Sequence, residues 1–293
     1  VAVIATAGNV ENIGGRIRGT ESVTVIAEKG NVINSSSIVT ANHEDGKNST
    51  NYDSIWSIGS IESDGTTYIE GQNYISKAGI VSGTTTVIAA KENIEIGSAT
   101  LNGSDKSGTA SGNYRNYDSV QKIGSEVIGS DNVVLEAGND ITVKGSMVAS
   151  DGLVQMTAEN INILNEKESV KIDNKSTDNG FLSSHSVEEK SYQEYASGST
   201  VIGNNVVLEA KNDINIKASN IAALKDEDGV GGNISALAGN NINILADTLD
   251  NSYYYKEKSS GFSTSMTSGG GSVTAGVSYN RSSLNIESNS TTL

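Results

Sequence analysis

The sequence predicts an all-β chain, a right-handed parallel β-helix, in which coils of about twenty residues stack along an axis and longer polar excursions leave them. Three observations carry this reading. A short strand phrase recurs at near-constant spacing, no stretch shows the 3.6-residue periodicity of an amphipathic helix, and the composition suits many short strands joined by tight turns. Of 293 residues, 35% are hydrophobic and 5% aromatic, with 32 glycines and no proline. Globular chains are richer in apolar residues and disordered chains richer in proline.

The phrase is an Asn or Asp corner followed by an apolar–polar–apolar triplet. It appears as Glu92-Asn93-Ile94-Glu95-Ile96, Asn139-Asp140-Ile141-Thr142-Val143 and Glu159-Asn160-Ile161-Asn162-Ile163, and returns at Asn212–Ile216 and Asn240–Ile244. Alternation of this kind is a strand with one face buried. Asn and Asp tolerate the backbone of a sharp corner. A second strand phrase stands just before it, as in Val133-Val134-Leu135-Glu136-Ala137 and Val206-Val207-Leu208-Glu209-Ala210.

Ile141 and Ile161 are 20 residues apart, one turn of a three-faced coil. Ile214 and Ile242 are 28 apart, the surplus being the loop Lys225–Gly232. Such coils cannot close their own apolar face, so each must stack on a neighbour, with backbones about 4.8 Å apart. Equivalent Asn corners can then form side-chain ladders. The twenty-residue period favours this solenoid over a sandwich or propeller.

Between coil blocks lie Ser/Asn/Tyr-rich excursions with too few apolar residues to form separate domains. The organisation reads as coils with one excursion over 1–97, an excursion over 98–124, coils over 125–164, an excursion over 165–199, coils over 200–245, and a Ser/Gly/Tyr-rich excursion opening the next repeat over 246–293. The excursions are hairpins extending the sheets, or loops. In the last one, Tyr253–Tyr255 reads as strand, Ser259–Phe262 as a turn and Gly269–Gly271 as a flexible tip.

The net charge is −15, which disfavours nucleic acid and anionic membranes as partners, since both require clustered cations. Without cysteine there is neither disulfide nor thiolate metal site. Val1–Ala5 is far too short for a signal peptide or a membrane span, so the chain reads as an internal piece with any targeting signal elsewhere.

No convergent catalytic set emerges. His43 and His185 both sit in excursions. β-Helix enzymes that cleave polysaccharides place acids on an exposed face, which makes Glu95, Glu136 and Glu209 the candidates. Glu136 and Glu209 are copies of one repeat position, as surface residues would be. Asp226-Glu227-Asp228-Gly229 lacks the bidentate Glu of a calcium loop, and the turn at Glu44 and Asp45 is weaker still. No catalytic, metal or cofactor-binding residue is assigned.

The excursion tyrosines stand out: Tyr52, Tyr114, Tyr117, Tyr192, Tyr195, Tyr253, Tyr254 and Tyr255. Cross-strand packing within hairpins is the first reading. Receptor contact, centred on Tyr253, Tyr254, Tyr255, Tyr192 and Tyr195, is the second, because a tyrosine offers both stacking area and a polar tip. Three consecutive tyrosines cannot share one face of a strand, so at least one of Tyr253–Tyr255 is expected to be exposed.

From Gly203 onward the chain resembles the hemagglutinin repeat of filamentous-hemagglutinin-like exoproteins. The resemblance rests on Ala210-Lys211-Asn212-Asp213-Ile214-Asn215-Ile216, Ala238-Gly239-Asn240-Asn241-Ile242-Asn243-Ile244, Ser259-Ser260-Gly261-Phe262 and Glu287-Ser288-Asn289-Ser290-Thr291-Thr292, in that order. Residues 131–180 look like a divergent earlier copy. The resemblance implies a secreted fibre at the bacterial cell surface, exported by two-partner secretion through an outer-membrane transporter. It implies a host-cell or target-bacterium receptor. In contact-dependent growth-inhibition exoproteins it implies delivery of a C-terminal toxin. A polysaccharide-degrading β-helix enzyme and an autotransporter passenger segment are the competing readings.

Overall fold

The computed structural model describes residues 1–109, 111–226, 228–266 and 273–292. They form strands and turns throughout, in three sheets of thirteen, eight and eight strands. The first two sheets are parallel and build a three-faced β-helix; the third is antiparallel and is made of the excursions.

One face is the plainest to follow. The strands Val10–Ile13, Val32–Ser35, Tyr74–Lys77, Ile94–Gly97, Asp140–Lys144, Asn160–Leu164, Ile214–Lys217 and Ile242–Leu245 pair in chain order. Each therefore marks one coil. Along this face Tyr74, Ile94, Ile141, Ile161 and Ile214 lie in register and are buried. The thirteen-stranded sheet wraps the other two faces. Ile80–Ala90 and Glu126–Ala137 each run through the corner between them, with a register shift between Gly83 and Thr85.

The interior is aliphatic: Ile88, Leu135, Met156 and Leu208 stack from one coil to the next, each fully buried. Burying such side chains contributes roughly 2 kcal/mol apiece, and each is covered only once the next coil is in place. At the N-terminal end polar side chains enter this space. Asn12 Nδ2 donates to Asn34 Oδ1 at 2.8 Å, and Asn34 Nδ2 donates to the Ile80 carbonyl at 3.0 Å. Their amides are satisfied inside the coil, so burial carries no orphaned-group penalty.

The corner before this face carries an Asn/Asp ladder. The amide of Asn31 donates to Asn9 Oδ1, Asn73 Nδ2 to Asn31 Oδ1, Asn93 to Asn73 Oδ1 and Asp140 N to Asn93 Oδ1. It continues from Asn160 to Asp140 and from Asn241 to Asp213. The corner phrase of the sequence is thus one continuous hydrogen-bonded column.

The opposite corner alternates between two forms. Where the chain passes directly into the next coil it turns through a residue of positive φ: Gly14 (65°), Ala78 (53°), Gly145 (56°) and Ala218 (40°). At every second coil a hairpin leaves instead. The four hairpins are Ser37–Asp45 with Asn48–Ser57, Ala99–Gly108 with Tyr114–Ile123, Glu166–Asn179 with Ser183–Ser197, and Asp247–Met266 with Val273–Thr292. The repeat is therefore two coils and one hairpin.

The excursions are consequently hairpins rather than loose loops, and each pairs with the one before. Tyr52 lies opposite Gly103, Tyr117 opposite Ile172 and Ser191 opposite Tyr253. The eight strands form one sheet, growing by two strands for every two coils. The expected turn at Ser259–Phe262 is not formed. Asp247–Met266 runs straight through, because Gly261 pairs with both Ser183 and Ser278. The expected tip at Gly269–Gly271 lies outside the described residues.

Candidate functional site

The hairpin sheet places the candidate tyrosines on two faces. Strand alternation and register set Tyr253, Tyr255 and Tyr195 on one side and Tyr254 and Tyr192 on the other. The first side also carries Tyr117, Ile172, Leu284 and Ile286; across it run Tyr117, Ile172, Ser191, Tyr253 and Ile286, mutually in register. The second side is charged, with Asp173, Lys190 and Tyr254 in one row and Lys175, Glu188 and Lys256 in the next.

The expected exposure of at least one of Tyr253–Tyr255 is not met: all three are half-buried. They sit on an inner strand, flanked by Ser183–Ser197 and Val273–Thr292, and neighbouring side chains cover them from both sides. Tyr195, at 49% exposure, and Tyr52, at 41%, are the more accessible rings. The ring of Tyr52 lies over Gly103, where an added Cβ would sit 2.8 Å from its edge.

Carboxylates hold most of the phenols. Tyr192 donates to Glu194 Oε1 at 2.9 Å, Tyr253 to Glu189 Oε1 at 3.1 Å and Tyr255 to Glu257 Oε2 at 3.0 Å. Partial burial and then Glu194 raise the Tyr192 hydroxyl above its ordinary range. Desolvation and Glu189 do so for Tyr253, and chiefly Glu257 for Tyr255. These rings are neutral donors, fixed in direction. Tyr195 instead donates to Gln193 Oε1 at 2.8 Å.

At the root of the last two hairpins lies an ionic knot that the sequence did not signal. Asp247 accepts from Lys217 Nζ at 2.8 Å and from Asn165 Nδ2 at 2.9 Å. Burial disfavours its charge, but these bonds and the Thr248 amide outweigh burial and hold its carboxyl at about 2. Beside it, Lys167 bridges Glu194 at 2.9 Å and donates to the Thr248 carbonyl at 2.6 Å. The Asp250 amide donates to Glu194, and together with Lys167 lowers the Glu194 carboxyl. The knot ties two hairpins and a coil together. Its charges are paired, which suits holding a shape rather than moving a proton.

The candidate acids do not converge. Glu95 projects from the eight-stranded helix face, whereas Glu136 and Glu209 project from the thirteen-stranded sheet. Glu136 and Glu209 share an outward column with Thr157 between them, about 10 Å apart at two rungs. A groove of about 590 Å³ beside Glu136 is lined by Tyr68, Glu70, Ala89, Lys91, Thr157 and Lys211. His43 lies opposite Thr50 in the first hairpin, and His185 Nδ1 is 3.7 Å from Glu257 Oε1 in another. Among the described residues no three His, Cys, Asp or Glu side chains are grouped to hold a metal ion. The loop Lys225–Gly232 folds onto Asn204, whose Nδ2 donates to the Val230 carbonyl at 2.8 Å. Its Glu227 lies outside the described residues.

Two coils with one hairpin, repeated, is the pattern against which comparison with known proteins is informative. The family model described as hemagglutinin repeat matches residues 100–179 and 179–293, about two thirds of the chain. This chain belongs to the hemagglutinin repeat family. The first match begins in the second hairpin, and the boundary at 179 falls at the tip of the third.

Two curated proteins are similar. One, named 16S rRNA endonuclease CdiA, from Enterobacter cloacae, is 31% identical over 174 residues, 55% of this chain and 5% of that protein. The other, named tRNA nuclease CdiA, from Yersinia mollaretii, is 29% identical over 162 residues, 49% of this chain and 5% of that protein. The chain thus spans about a twentieth of their length. No solved structure matches. The chain is a segment of the two-partner-secretion exoprotein type, and hemagglutinin-repeat and CdiA proteins are secreted and displayed at the cell surface.

Proposed function

We propose that this chain is a structural fibre segment of a cell-surface hemagglutinin or adhesin, serving contact-dependent delivery of a toxin carried elsewhere in the parent protein. The observation that supports this best is the repeat itself. The coils make a rod of parallel strands, while the hairpins add a second, continuous sheet along it. A rod positions things at a distance, and the appended sheet offers surface for contact. The division into coil blocks (1–97, 125–164, 200–245) and excursions (98–124, 165–199, 246–293) follows the same reading.

In this reading the partners are the outer-membrane transporter during export and a receptor on a host cell or target bacterium. Tyr253, Tyr255 and Tyr195 face such a receptor from one side of the sheet, and Tyr254 and Tyr192 from the other. The chain's own chemistry is taken to be non-catalytic, with nuclease activity, where a parent has it, outside this segment.

Deleting this segment from its parent, and scoring export, adhesion and target-cell killing separately, tests the proposal. Export should persist while adhesion or killing falls. Unchanged adhesion and killing would contradict it. Turnover of any member of a polysaccharide panel by the purified segment would favour a catalytic reading instead.

A further inference from the structure

The groove beside Glu136 lies on the coils, and no hairpin residue lines it. Every rung that forms it is covered on both sides, from Ser22–Ala27 at one end to Asn233–Ala238 at the other. Its shape follows from register. Glu70, Ala89, Glu136, Thr157 and Glu209 pair in that order along one outward column. Long carboxylates therefore alternate with short side chains, and successive acids stand two rungs, about 10 Å, apart. Gly138 opens the floor further. It packs on the backbone of Lys91, where an added Cβ would fall 2.1 Å from the carbonyl oxygen.

Three kinds of group face this floor. Tyr68 forms one wall, and its hydroxyl donates to Glu70 Oε2 at 2.8 Å, which holds the ring in place. Glu136 makes no hydrogen bond or ion pair among the described residues. Lys91 and Lys211 bring ammonium groups to the corner side. Lys91 Nζ donates to the Glu28 carbonyl at 3.0 Å and has two further protons to give.

We infer that this groove binds a linear, uncharged, β-1,4-linked polysaccharide lying along the coil axis. A sugar hydroxyl both donates and accepts, so it needs acceptors and donors together. Glu70 and Glu136 supply the first, Lys91 and Lys211 the second. Tyr68 offers an aromatic ring with a polar tip, which matches the apolar face and polar rim of a pyranose. The mixed lining gives a polyanion no advantage, and the net charge of −15 opposes one. The period selects the linkage. A rung advances about 4.8 Å, close to the advance of one ring in an extended polysaccharide. In a β-1,4 chain each ring is turned over relative to the last, so the same edge recurs at every second ring. Glu70, Glu136 and Glu209 recur at every second rung. The site uses coil residues alone, so its failure would leave the fibre reading and the hairpin tyrosines untouched.

Titration calorimetry of the 293-residue chain with cellohexaose and chitohexaose tests the inference. At least one hexamer should bind saturably, and several-fold more tightly than its disaccharide, because each further ring meets another rung. Tyr68→Ala should weaken binding roughly tenfold through lost stacking. Ala89→Trp, which fills the floor from an outward position, should abolish it. Glu11→Gln, on the eight-stranded face, should leave it unchanged. Urea midpoints of the variants, matched to the parent chain, separate lost binding from lost folding, and Tyr68→Ala carries the comparison if Ala89→Trp does not fold. A heparin hexasaccharide should not compete. No saturable binding of either hexamer overturns the inference. So does binding that survives Tyr68→Ala and Ala89→Trp, since another surface would then be in use. A preference for heparin, or cleavage of the hexamer, overturns it as well.

Discussion

Ile141 and Ile161 lie directly opposite one another in adjacent rungs of the eight-stranded face, both fully buried. Twenty residues of chain separate them, and in that interval it traces all three faces before returning. Each side chain is covered by the coil above and the coil below, so stability is shared between neighbours rather than held in one centre.

Replacing Ile161 by alanine removes contacts on both sides at once. The substitution should lower stability by about 3 kcal/mol, read as a shift in the denaturant midpoint. An exposed substitution on the same face, Glu95→Gln, should change it by less than about 0.5 kcal/mol.

The Asn/Asp corner column makes a second prediction. Asn93 both receives and passes on a hydrogen bond in that column. Asn93→Leu leaves the Asp140 amide without its acceptor and should cost about 1–2 kcal/mol. Amide exchange at Asp140 should rise well above that at Asn31, several rungs away.

Two of the direct corners use alanine where the backbone is left-handed, at Ala78 and Ala218. Such a conformation costs an L-residue about 1–2 kcal/mol, and glycine loses part of that gain to its freer unfolded state. Ala218→Gly should therefore stabilise by about 0.5–1 kcal/mol, measured by urea denaturation. Gly145→Ala should destabilise, and its added Cβ would also press on Glu166, 2.9 Å away.

These corners mark where the sequence stopped being legible. The rungs were visible because Ile94, Ile141, Ile161, Ile214 and Ile242 repeat one phrase. The corner ladder followed from the Asn and Asp before them. The alternation of left-handed corners with hairpin exits was not visible, since Ala78 and Ala218 carry no glycine signature. Asn12 and Asn34 fill an inward position that apolar residues take in later coils. The pairing of hairpin with hairpin was hidden because Ser169, Ser191 and Ser252 give those strands no apolar alternation. It arises from backbone pairing and the exit points. The half-burial of Tyr253–Tyr255 follows from that pairing and could not precede it.

Asp247 gives a pH dependence whose sign is fixed. Its carboxyl stands at about 2, below its ordinary value of 3.8. The stabilisation is therefore present above pH 4 and is lost as pH falls through 2. Urea midpoints should fall across that window, and the Asp247→Asn variant should fall less. Its midpoint at pH 7 should already be the lower of the two, because Lys217 then lacks its partner.

Tyr74 is fully buried between Val32 and Ile94, and burial lifts its hydroxyl to about 12. Ser76 and Asn34 lie near enough to offset part of that rise, but their own hydrogen bonds go elsewhere and none of good geometry reaches the Tyr74 hydroxyl. Tyr74→Phe should consequently raise stability by roughly 1 kcal/mol, because an unsatisfied buried donor is removed at nearly constant shape. Thermal denaturation of the two chains side by side decides it.

The most direct test of the stacked coils is a ladder of distances. Glu11, Thr142, Asn162, Asn215 and Asn243 occupy one outward column of the eight-stranded face. Spin labels on introduced cysteines, with Glu11→Cys fixed and the second at 162, 215 or 243, should give separations near 24, 29 and 34 Å, rising by about 4.8 Å per rung. Separations that fail to rise in that order, or that cluster as in a rounded body, would contradict the account.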